Sequence, residues 1–90
     1  MENGGREYSK LGKVLDEIAR SRNVRGARPI ARRVKSRTGG GPTGAAVSQY
    51  LYGDTTPRRD FIERFAKAFE LSESERRFKY TYAYGFQTAA

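Results

Sequence analysis

The chain has no cysteine, no histidine and no tryptophan among its 90 residues, and only one methionine. Without thiols or imidazoles, zinc fingers, cysteine nucleophiles, disulfide frameworks and every histidine-dependent triad are excluded. Lack of cysteine also fits a reducing compartment. No apolar run approaches the roughly 18–20 residues that a bilayer-spanning helix needs. No hydrophobic stretch follows Met1–Glu7, so no secretory leader is read there. Acids are the minority charge: 18 Lys and Arg against 10 Asp and Glu give a formal charge of +8. A hydrophobic content of 37% over 90 residues supports one domain with a modest core. The expectation is a basic, cytoplasmic domain whose partner is a polyanion.

The positive charge is unevenly placed. Residues 1–42 hold 11 basic and 4 acidic side chains, whereas residues 43–90 hold 7 and 6. Arg20, Arg22, Arg25, Arg28, Arg32, Arg33, Lys35 and Arg37 follow one another with no acid among them. Arginine dominates this run, and its planar fork of donors suits phosphate. Such a run can be a plain solvated face, but its density in so small a domain points to nucleic acid.

Hydrophobic periodicity predicts short helices throughout. Leu11, Val14, Leu15, Ile18 and Ala19 form one buried stripe, with Ser9 as N-cap and an end near Ser21–Asn23. Pro29 suits the first turn of a second helix whose apolar face is Ile30, Ala31 and Val34. Thr38-Gly39-Gly40-Gly41-Pro42 breaks that helix. Thr43 caps a third helix running through Leu51, stopped by Gly53. Thr56 as cap and Pro57 as first residue open a fourth, with Phe61, Ile62, Phe65, Ala66 and Phe69 as its stripe. Ser72-Glu73-Ser74-Glu75 is a capping box for a fifth helix. Phe78, Tyr80, Tyr82, Tyr84 and Phe86 alternate with period two, which suits a strand, but the capping box and the i, i+4 pair Phe78/Tyr82 favour a helix. The expected architecture is all-α: a compact bundle of about five short helices over residues 9–86. Residues 1–8 and 87–90 are expected to be flexible ends.

The stretch Val47-Ser48-Gln49-Tyr50-Leu51-Tyr52-Gly53-Asp54-Thr55-Thr56-Pro57 resembles the Xre/Cro/lambda-repressor-like helix-turn-helix family. It is similar to the end of that family's recognition helix and the loop after it. Phe61–Ser72 resembles the helix that follows, and Ile30-Ala31 the start of the family's second helix. The resemblance spans roughly residues 10–73 and is most specific from Val47 to Leu71. One departure stands out: Ala31 and Ser48 lie 17 positions apart, more than the compact pattern holds. The excess falls on Val34–Thr43, predicting an elongated helix 2–helix 3 connection, with a longer second helix and a mobile loop.

The resemblance implies a sequence-specific, double-stranded DNA-binding transcriptional regulator, repressor-like and probing the major groove with Thr43–Tyr52. It implies Thr43, Gly44, Ala45, Ser48 and Gln49 as base readers, and helical phase adds Tyr52 to the outward set. Gln49 suits adenine, whose N6 and N7 pair with a carboxamide, although a solvent-facing spacer is the alternative. Arg28, Arg32, Arg33, Lys35 and Arg37 are expected at phosphates from the second helix, and Arg58 and Arg59 from the fourth. For Arg58 and Arg59 plain solvation is the alternative. The aromatic run Phe78, Tyr80, Tyr82, Tyr84 and Phe86 either covers the core or forms a homodimer interface. A dimer would present two recognition helices to half-sites about one helical turn apart.

Catalysis is not expected. Gly39–Gly44 lacks the lysine of a nucleotide-binding loop, and Asp54, Asp60 and Glu63 show only loop and helix-pair spacing. No cofactor, metal or small-molecule ligand is implied. Two other functions stay open: a single-stranded or RNA binder stacking bases on the aromatic run, and a protein-interaction module on the same fold.

Overall fold

Ser9 opens the first helix by accepting the Gly12 N–H at 3.0 Å, and the chain continues as α1, Lys10–Arg20. The computed structural model describes residues 6–77. α2 spans Ala27–Thr38, α3 Gly44–Tyr52 and α4 Arg59–Ala68. The described residues form a compact all-α bundle of four short helices with no strand.

Each helix buries the stripe its periodicity marks. Leu15, Ile18 and Ala19 of α1 meet Ile30, Ala31 and Val34 of α2, Val47 and Leu51 of α3, and Phe61, Ile62, Phe65, Ala66 and Ala68 of α4. No polar or charged residue is buried among the described residues, so the core is apolar throughout. Along α4 the rings of Phe61, Phe65 and Phe69 stack in tilted pairs 5.8 and 4.6 Å apart. Tyr50 of α3 joins Phe61 at 4.8 Å.

Helix ends use one device three times. At Asn23, Gly53 and Glu70 the backbone turns left-handed, with φ of 63°, 81° and 49°. The following amide reaches back five residues: Val24 to Ala19, Asp54 to Gln49 and Leu71 to Ala66. This Schellman closure satisfies terminal carbonyls and folds an apolar residue, Val24 or Leu71, back onto the bundle.

Two expectations need correction. The fourth helix does not begin at Pro57: Arg58 is the extended cap residue, and the first helical bond runs from the Ile62 N–H to the Arg58 carbonyl. The chain uses residues 54 and 55 to close on Gln49 and needs the next three to cross to where Phe61 meets Tyr50. The second helix is longer, as expected, running to Thr38, and this takes up most of the excess length, so that the helix 2–helix 3 connection itself is short, Gly39 to Thr43. From Arg6 onward the N-terminal segment is packed against the bundle, with Tyr8 half-buried. The fifth-helix capping box does form. Glu75 accepts the Ser72 N–H at 2.8 Å, and the Ser72 hydroxyl accepts the Glu75 N–H at 3.3 Å. Phe78, Tyr80, Tyr82, Tyr84 and Phe86 lie outside the described residues.

Candidate nucleic-acid interface

α3 is clamped at both ends. At its start Gly44 lies on Arg28, where a Cβ would fall 2.8 Å from Cγ and 3.3 Å from Cα. α3 therefore begins beside the first turn of α2, although α2 runs on to Thr38. The connection returns along α2, and Gly41, at φ 137°, presses on Val34. At the other end, the Leu51 carbonyl accepts the Ser9 N–H at 2.9 Å and the Ser9 hydroxyl at 3.3 Å. The carbonyl end of α3 thus meets the amide end of α1, a favourable pairing of opposite partial charges.

With Val47 and Leu51 inward, the opposite face of α3 carries Ala45 and Gln49, both exposed, flanked by half-buried Ser48. Thr43 stands exposed at the tip, and its hydroxyl accepts the Ala46 N–H at 3.1 Å. Gly44 is turned to α2 and Tyr52 to the N-terminal segment. The Tyr52 ring meets Tyr8 edge-on at 4.9 Å, and the Arg6 guanidinium lies 4.5 Å above it. Arg6 also binds the Asp54 carboxylate at 2.7 Å. Burial, then the neighbouring Asp16, push the Tyr8 hydroxyl above its ordinary pKa, so it stays neutral. The side chain of Gln49 is held as well: its Oε1 accepts the Thr55 hydroxyl at 3.2 Å.

The basic run divides in two. Arg28, Arg32 and Lys35 recur at helical spacing along one edge of α2, the edge on which Arg28 meets Gly44. All three are exposed, and among the described residues none has a carboxylate or carbonyl partner; Arg25, just before α2, is the same. Arg33 and Arg37 take the other edge. Arg33 lies 5.2 Å over the Phe69 ring with its Nε enclosed, and Arg37 binds Glu70 at 3.3 Å. The structure therefore places Arg28 beside α3, with Arg32 and Lys35 behind it in helical register. Arg32 also lines a surface groove with Pro29 and Arg33, while Arg33 and Arg37 reach the far end of α4. Arg58 and Arg59 are exposed at the start of α4, on the side where Phe61 meets α3.

Arg22, from the same run, is a structural clamp. It donates to the Phe69 carbonyl at 2.8 Å, to the Ile18 carbonyl at 3.2 Å and to both oxygens of Glu75 at 3.0 and 2.8 Å. That hydrogen bonding, with the Ser72 amide, holds the Glu75 carboxyl at a pKa of about 2.

No protein-family model, curated protein or solved structure matches the chain. No helix among the described residues is long and apolar enough to cross a membrane, and none of these residues forms a cluster of three or more metal-ligating side chains. Sequence reasoning missed Gly12, Arg6 and Tyr8, and the bond from Thr55 to Gln49. Only Gly12 carries a local signal, a glycine inside an otherwise strong helical stripe, which marks a close packing approach.

Proposed function

We propose that the chain is a double-stranded DNA-binding transcriptional regulator of the helix-turn-helix kind, repressor-like, with α3 in the major groove. One observation carries this reading: the exposed face of α3 is bordered by cations that no acid of the described fold neutralises. Arg28, Arg32 and Lys35 line the adjoining edge of α2, while Arg6, Arg20, Arg22, Arg37 and Arg64 are all matched to carboxylates. Unmatched arginines beside a slim helix suit a polyanion with a groove. A helix of about 10–12 Å diameter fits the roughly 12 Å major groove. Ala45, Ser48 and Gln49 would then face base edges, with Thr43 at the tip. Arg28, Arg32, Lys35 and Arg58 would grip phosphates on either side.

Fluorescence anisotropy with matched duplex and single-stranded probes over a salt series tests this. The expected result is tighter binding to duplex, with log K falling against log salt at about −0.9 per neutralised phosphate. Equal or tighter binding to single strands, or binding indifferent to salt, overturns it. Selection of bound duplexes from a random pool then reports the motif. A palindrome would indicate a two-fold assembly.

A further inference from the structure

Gln49 does not present a free carboxamide. Gly53 turns left-handed, and the chain after it folds back so that the Asp54 and Thr55 amides both point at the Gln49 carbonyl, at 2.9 and 3.4 Å. This closure brings the Thr55 hydroxyl to the Gln49 side chain, where it donates to Oε1 at 3.2 Å. A valine or alanine at position 55 could not make that bond.

A glutamine reads adenine by accepting from N6 through its oxygen while donating to N7 through its nitrogen. With one of the two lone pairs of Oε1 taken by Thr55, the freer group of the carboxamide is Nε2, which only donates. Guanine offers two acceptors there, O6 and N7, whereas adenine offers one acceptor and a donor that meets no partner. We infer that Thr55 is a specificity-determining positioning residue: it holds Gln49 as a donor, so that the base opposite Gln49 is read as guanine in preference to adenine. This rests on the reading of α3 as a DNA-contacting helix and replaces the adenine preference that an unconstrained glutamine implies. Thr55 need not touch DNA, and its exposed position leaves the core untouched.

The test is selection of bound duplexes from a random pool with the full chain, run in parallel for wild type, Gln49→Ala, Thr55→Val and Thr55→Ser. Gln49→Ala should degenerate one position of the motif, identifying the base read by Gln49. Wild type and Thr55→Ser should carry guanine there. Thr55→Val, equal in shape but without the hydroxyl, should shift the guanine-to-adenine ratio toward adenine by about tenfold. Equal thermal midpoints for the Thr55 variants and wild type would show that the fold is intact. Adenine at that position in wild type, or an unchanged motif in Thr55→Val, overturns this inference and leaves the DNA-binding reading standing. A wild-type pool with no enriched sequence overturns both.

Discussion

Gly12 of α1 lies directly against the carbonyl group of Leu51 in α3, so closely that a methyl group at Gly12 would collide with the Leu51 oxygen. That oxygen already accepts two hydrogen bonds from Ser9. Gly12→Ala must push α1 away from the end of α3 and disturb these bonds. At an exposed helical site the same change would stabilise by about 0.5–1 kcal/mol. Here it should destabilise by about 3 kcal/mol, read as a lower urea midpoint at unchanged slope.

The division of the basic run separates two kinds of arginine variant. Arg32→Ala should weaken binding to every duplex alike and make the salt slope shallower by about 0.9. Arg33→Ala should leave that slope unchanged and instead lower stability by about 1 kcal/mol, through lost contact with Phe69. Anisotropy over a salt series, with thermal melts alongside, distinguishes the two. Equal slopes for the two variants would count against the grouping of Arg32 with α3.

Arg6 masks the one carboxylate in the turn that follows α3. Its bond to Asp54 at 2.7 Å neutralises a charge that, in the proposed complex, would otherwise face phosphate. Arg6→Ala should therefore weaken duplex binding by about threefold to tenfold, and adding Asp54→Asn should restore most of the loss. Failure of the second change to rescue would mean that Arg6 acts on DNA directly.

Acid should loosen the attachment of residues 72–75. Arg22 and the Ser72 amide hold Glu75 at a pKa of about 2, below the ordinary carboxylate value of 4.5. The folded state binds this proton less readily than the unfolded chain. Its contribution is therefore complete above pH 4.5 and is lost as pH falls toward 2. The effect is about 1 kcal/mol once solvent screening is allowed for. Thermal melts of wild type and Glu75→Gln should differ at neutral pH and converge near pH 2.

Local signals carried most of the helix plan. Ser9, Thr43, Gly53 and the Ser72/Glu75 box were readable because each acts within a few residues of its own helix end. The buried stripes were readable because α-helical spacing alone marks them. Contacts between distant segments were not: Ser9 meets Leu51 across 42 residues, Arg6 meets Asp54 across 48 and Arg22 meets Glu75 across 53. Position in a basic run likewise cannot say which arginine an acid will claim. Phase along α2 separates Arg32 from Arg33, but only the docking of α3 against Arg28 decides which edge borders the candidate site. The start of α4 shifted for a related reason, since loop length answers to the gap being crossed as well as to cap chemistry.

The unmatched cations of Arg25, Arg28, Arg32 and Lys35 also bear on the free protein. Crowded onto about three turns of chain, they repel one another whenever no polyanion is present, and mobile counterions relieve that repulsion. Moderate added salt should therefore act with opposite signs on the two equilibria, firming the unliganded bundle while it loosens the complex. A duplex, by supplying fixed negative charge, should raise the melting temperature most where the salt is lowest.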